Sequence, residues 1–127
     1  KYVFPSAMEE EIKLLPFVAN AMIYGENREF NICLVVPDFE VLARHAEKKG
    51  WPTEPAEMVE NEAAREMIIE SIRQALTGIY GNYEIPKKFV FLTEGFTLEN
   101  GMLTQTLKLK RRAVLDRFGE QIEAQYR

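Results

Sequence analysis

The 127-residue sequence is poor in the side chains that most often carry chemistry, with one cysteine and one histidine. A lone Cys33 excludes an intramolecular disulfide framework and fits a reducing compartment, as a small core residue. A lone His45 means that a histidine-based metal site or catalytic dyad would need other residue types or a second chain. No Gly-rich run is present that could cradle a phosphate. The longest apolar runs, such as residues 32–36, fall far short of the roughly 20 residues a membrane-spanning helix needs. The opening KYVFPS has no apolar signal-peptide stretch and no initiating Met. Residues 2–4 are expected to be extended and to begin partway through an element, as in a piece of a longer chain.

What is present describes one domain of ordinary composition, 46% hydrophobic and 28% charged, able to bury a real core. The net charge of −4 argues against general nucleic-acid binding. The charge is uneven. Residues 1–80 hold 8 basic and 14 acidic side chains, whereas residues 81–127 hold 8 basic and 6 acidic, so any positive field belongs to the C-terminal part.

Periodicity and punctuation predict the elements. Ser6 with Glu9 has capping-box spacing for a first helix, with Met8, Ile12 and Leu15 on one face. The run Glu9, Glu10, Glu11 suits the helix N-terminus; three consecutive positions point apart and cannot converge on a metal. Residues 18–24 and 29–36 alternate as strands joined by a loop at 25–28, and the second, apolar on both faces, is expected to be central. Asp38 and Gly50 bracket a helix over 39–49. A Pro-containing loop follows, then the longest helix, from Asn61 to about Tyr80, with Ile68, Ile72, Leu76 and Ile79 on its stripe. Residues 87–92 form a third strand, Asn100-Gly101 signals a tight hairpin, and a final helix runs from Arg111 to about Tyr126 with Val114, Leu115, Phe118 and Ile122 buried. The fold class is α+β: a small sheet of about three strands with an added β-hairpin, flanked by helices.

The segment NGMLTQTLKLKRR at 100–112 departs from this pattern. Read as extended, it places Thr104, Thr106, Lys108 and Lys110 on one face, while Leu107 and Leu109 on the other anchor it to the domain. Lys108 then projects outward between hydroxyls. Such a lysine can deliver a compact positive charge to a phosphate or carboxylate; the plainer reading is a solvated charge run. A nucleic-acid contact is disfavoured by the missing aromatic interleaving.

Thr104-Gln105-Thr106-Leu107-Lys108-Leu109-Lys110-Arg111 resembles the final signature motif of the adenylate-forming enzymes, in the Thr-x-Thr-x-Lys-x-Lys-Arg form of long-chain fatty acyl-CoA synthetases. Lys108 falls on the catalytic lysine, and Thr104 and Thr106 on the hydroxyl positions. Leu107 replaces the Gly of the general Pro-Lys-Thr-x-Ser-Gly-Lys pattern, and Met102 stands where its Pro would be. Three further stretches resemble the same family: Val3-Phe4-Pro5 through Glu9, residues 17–38, and Tyr83-Glu84-Ile85-Pro86-Lys87-Lys88-Phe89.

The resemblance implies that residues 1–127 are the single C-terminal lid domain of a long-chain fatty acid–CoA ligase. Its own large N-terminal domain, outside this sequence, would hold ATP, Mg²⁺ and the fatty acid. Lys108 would be catalytic in adenylation, with Thr104, Thr106, Lys110 and Arg111 supporting it or binding substrate and no metal ligand in this chain. The lid would then rotate for thioester formation with CoA. The fragment alone is expected to be inactive. The location implied is cytoplasmic, with peripheral membrane association of the full-length enzyme left open. The alternative is a non-catalytic anion-binding or protein-interaction module of the same fold.

Overall fold

The computed structural model describes residues 4–127; Tyr2 and Val3, expected to be extended, lie outside them. Contacts divide the chain into two compact units, Lys1–Thr93 and Glu94–Arg127.

In the first unit, the alternating runs become β1 (Val18–Tyr24) and β2 (Ile32–Pro37), paired antiparallel. The third strand, β3 (Lys88–Phe91), pairs parallel with β2, giving the order β1-β2-β3. All six β2 residues are buried, as expected of a central strand covered on both faces. The β1–β2 turn uses Asn27 at φ 62, a residue type that tolerates the left-handed region. Asn31 ties this hairpin to the loop before β3. Its side-chain amide donates to the Glu84 carbonyl at 2.7 Å, and its own carbonyl accepts the Lys87 N–H at 2.9 Å.

A parallel pair needs a crossover, and residues 38–87 supply one carrying three helices. For α2 (Phe39–Lys49), the Asp38 carboxylate accepts the Val41 N–H at 3.2 Å, and Gly50 closes the helix at φ 75. His45 lies edge-on between Phe17 and Trp51, at 5.4 Å from each ring, a packing role. The Pro-containing loop holds a single helical turn, α3 (Pro55–Met58). Asn61 caps α4 (Glu62–Leu76) by accepting the Ala64 N–H at 2.9 Å. This helix stops before the expected Tyr80. The Thr77 hydroxyl donates back to the Arg73 carbonyl at 2.7 Å, and Gly78 turns the chain at φ 93.

The first helix also differs from expectation. Ser6 is not its cap: α1 is Pro5–Lys13, with Phe4 as N-cap and no side-chain cap. Proline lacks the N–H that a cap would satisfy, and its fixed φ suits the first turn, so the helix starts two residues earlier, with the cap at Phe4 in place of Ser6. Glu9 is thereby freed from the capping box. It is only 5% exposed, and its carboxylate accepts the Ile23 N–H of β1 at 2.7 Å.

Met8, Ile12, Leu42, Ala46, Met58, Ile68, Ile72 and Leu76 from the four helices meet Ala21, Ile23, Cys33, Val35 and Phe89 of the sheet in one core. Each fully buried large aliphatic here contributes about 1.5–3 kcal/mol. Burial pushes the Cys33 thiol well above its usual range, reinforced by the Glu9 carboxylate, so Cys33 is an inert core residue. Among the described residues, no helix is long and apolar enough to cross a membrane.

The second unit holds α5 (Arg111–Ala124), which kinks at Phe118 (φ −118, ψ 15) just before Gly119. Val114, Phe118 and Ile122 are buried as the stripe predicts, while Leu115 is half-buried.

Candidate active-site turn

Residues 104–108 are not one extended strand. The Thr104 N–H donates to the Lys108 carbonyl at 2.8 Å, the Lys108 N–H to Thr104 Oγ1 at 3.0 Å, and the Leu107 N–H to the Thr104 carbonyl at 2.8 Å. Gln105, Thr106 and Leu107 therefore form a three-residue loop closed by Thr104 and Lys108. Leu103 bridges Leu109 antiparallel behind it, and the Lys110 N–H donates to the Met102 carbonyl at 2.8 Å. This is a tight hairpin of the kind in which a type I turn is followed by one left-handed residue. Leu107 is that residue, at φ 64.

The geometry corrects the expected alternation. A chain that reverses within five residues has no two-faced strand. Thr106 and Lys108 do not share a pleated face, and Leu107, expected as an anchor, is 68% exposed. Leu109 remains half-buried. Non-glycine residues pay about 1–2 kcal/mol for the left-handed region because Cβ crowds the following carbonyl.

Three of the residues singled out in the sequence do come together. Thr104 Oγ1 accepts the Lys108 N–H and lies 3.2 Å from Thr106 Oγ1. Lys108 is thus held through both its backbone N–H and its carbonyl, while its side chain is exposed. Among the described residues, no ion pair engages Lys108, Lys110 or Arg112. Lys110 is the N-cap of α5, and Arg111, half-buried, is its first residue. No acidic residue occupies the first turn. Cations at the positive end of a helix are unfavourable for the helix, by up to about 1 kcal/mol each, and they make this end attractive to an anion.

Asn100 plays a part that its turn signal alone did not reveal. The Asn-Gly pair was expected to form the hairpin itself; the hairpin instead closes at 104–108, and Asn100 braces the loop before it. Its Oδ1 accepts the N–H groups of Thr97 (3.0 Å) and Met102 (3.1 Å), and its Nδ2 donates to the Gly95 carbonyl (2.7 Å). Gly101 follows at φ 80. Glu94 Oε1 accepts from Arg117 Nη2 at 2.7 Å, fastening the start of this loop to α5. Asn100→Ala is expected to cost about 1–2 kcal/mol, moderated because water reaches these groups. Faster hydrogen exchange in the variant at the Thr97 amide, which donates to Asn100 Oδ1, would check the loss of the brace; unchanged exchange there would refute it. Among the described residues, no group of three or more His, Cys, Asp or Glu could hold a metal ion.

The family model described as AMP-binding enzyme C-terminal domain matches residues 1–127. The chain is 33% identical over 128 residues to long-chain-fatty-acid–CoA ligase 5 of Mus musculus, covering 99% of this chain and 19% of that protein. It is 32% identical over 128 residues to carboxylic acid reductase of Mycobacterium tuberculosis, covering 99% of this chain and 10% of that protein. Among solved structures, the adenylation domain of the carboxylate reductase from Mycobacterium chelonae matches with a TM-score of 0.81 at 30% identity, over 99% of this chain and 18% of that one. The chain thus spans a fifth or less of the length of these relatives. With its whole length matched and an α+β fold like that of the solved adenylation domain, the chain belongs to the family of AMP-binding enzyme C-terminal domains.

Proposed function

We propose that residues 1–127 act as the C-terminal lid of a long-chain fatty acid–CoA ligase, with Lys108 as the catalytic lysine of fatty-acid adenylation. The observation that carries this reading is the turn at 104–108. Its backbone is pinned at both ends of the loop, and it presents one exposed ammonium with no ion-pair partner among the described residues. In adenylation a fatty-acid carboxylate attacks the α-phosphate of ATP, so negative charge builds where two anions meet. The Lys108 ammonium, brought in on a pre-formed turn, bridges the carboxylate and phosphate oxygens and acts electrostatically. Thr104 and Thr106 hold the turn in shape through the hydroxyl contacts described above, and Lys110 and Arg111 add positive potential beside it. A large domain of the same polypeptide supplies the ATP, Mg²⁺ and fatty-acid sites. The lid then turns so that the lysine withdraws and the CoA thiol reaches the acyl-adenylate.

The similarity to a carboxylic acid reductase supports a second reading, in which the same adenylation step activates an acid for reduction. The two readings share Lys108 and separate at the product. The longer polypeptide, given ATP, Mg²⁺, a long-chain fatty acid and CoA, is expected to release AMP and an acyl-CoA thioester. AMP release without thioester would favour the reductase reading, and no AMP release would refute both. A cytoplasmic setting suits this substrate set.

A further inference from the structure

Leu107 combines two properties that a purely structural loop residue has no reason to combine. Its backbone sits at φ 64, where glycine is at home and a branched side chain is strained. Its side chain is also 68% exposed, so no packing within the described residues repays that strain. Asn27 also has positive φ, at 62, and is of a type that adopts it readily. Exposed leucines are common on protein surfaces, and strained loop residues occur; a strained, exposed leucine directly before a catalytic lysine calls for a use of the side chain itself. Four-fifths or more of the length of the relatives lies outside this chain, so a large surface of the same polypeptide is available to receive it.

We infer that Leu107 is a positioning residue for adenylation: its side chain seats the tip of the 104–108 turn against an apolar patch of the large domain and thereby sets the Lys108 ammonium on the reacting oxygens. The inference rests on the assignment of Lys108 proposed above and adds to it the contact that fixes the lysine in place. A flexible lysine side chain spans several ångströms, and its charge is useful only when its backbone origin is fixed to well under that distance. The turn fixes Lys108 relative to its own unit. Leu107, the adjacent residue and the most exposed apolar side chain of the turn, fixes that turn relative to the site it enters. Glycine at this position would make a more relaxed turn with no seat.

The test is a size series at position 107 in the full-length enzyme, with Lys108→Ala in parallel. Adenylation is read by ATP–pyrophosphate exchange, thioester formation from supplied acyl-adenylate, and stability by urea unfolding. Leu107→Met is expected to stay within about threefold of the parent. Leu107→Ala, Leu107→Asn and Leu107→Gly are expected to lose about tenfold or more in adenylation kcat, with the KM for ATP and thioester formation little changed. Stability should run the other way, with the Asn and Gly variants unfolding no earlier than the Ala variant, because they tolerate the left-handed backbone. If the Gly and Asn variants adenylate like the parent while Lys108→Ala does not, the role of Leu107 is refuted and that of Lys108 stands. If the activity losses follow losses in stability, the role of Leu107 is refuted as well. If Lys108→Ala adenylates normally, both assignments fall.

Discussion

Lys108→Ala in the full-length enzyme is expected to slow acyl-adenylate formation by about 10²–10³-fold while leaving thioester formation from supplied acyl-adenylate largely intact. The magnitude follows from the removal of one preorganised charge from a transition state in which two anions approach each other, about 3–4 kcal/mol of lost stabilisation. The asymmetry between the half-reactions follows from where the charge is needed. In thioester formation, on the proposed function, the lid has turned and the lysine has withdrawn, so the thiol attacks the acyl carbon and AMP leaves, with its added negative charge, without help from Lys108. Stability should hardly change, because the Lys108 side chain is exposed and the turn is held by its backbone. Lys108→Arg is a sharper probe: it keeps the charge but spreads it over a planar fork, and should recover only part of the rate. Equal loss in both half-reactions, or no loss in either, would remove Lys108 from the role.

The largest expected effect on folding comes from a residue of the first unit. Glu9→Leu should cost about 2–4 kcal/mol in urea unfolding. Part of this is the Ile23 N–H, left without its 2.7 Å acceptor in a buried setting, and part is the altered packing around a side chain only 5% exposed. β1 is an outer strand, and the carboxylate takes a backbone donor on the side that β2 does not use. Glu9→Gln retains a carbonyl acceptor of the same reach and should cost less than half as much. If the Leu variant unfolds at the parent midpoint, the bond contributes nothing to stability and the account of β1 is wrong.

The two sites differ in how far sequence reasoning could reach them. Features carried by a local stereochemical rule were readable: Asp38 and Asn61 as helix starts, Gly50 as a stop, and the alternation of β1 and β2, whose apolar second strand marked itself as central. The motif is what singled out Lys108, whose catalytic role is the proposal made above. The shape that carries it was not readable. The left-handed residue that closes the loop is a leucine, so the glycine that normally announces such a turn is missing, and alternating Thr and Leu then mimic a strand. The role of Glu9 escaped for a related reason. A local pattern, Ser6 to Glu9, offered a partner three residues away, while the real partner, Ile23, is distant in sequence and becomes adjacent only when β1 docks. The parallel placement of β3 likewise depends on tertiary packing that no window of sequence contains.

That placement has a consequence for how the chain comes to be folded. The β1–β2 hairpin is joined by a short turn and can close early, whereas the partner for the other edge of β2 arrives only after residues 38–87 have been made and packed. Until then the most apolar strand of the protein has one row of amides and carbonyls without a mate. The incomplete chain is thus open to pairing with a neighbouring molecule at the strand that ends up most hidden, and that opening lasts until the crossover is made and β3 docks.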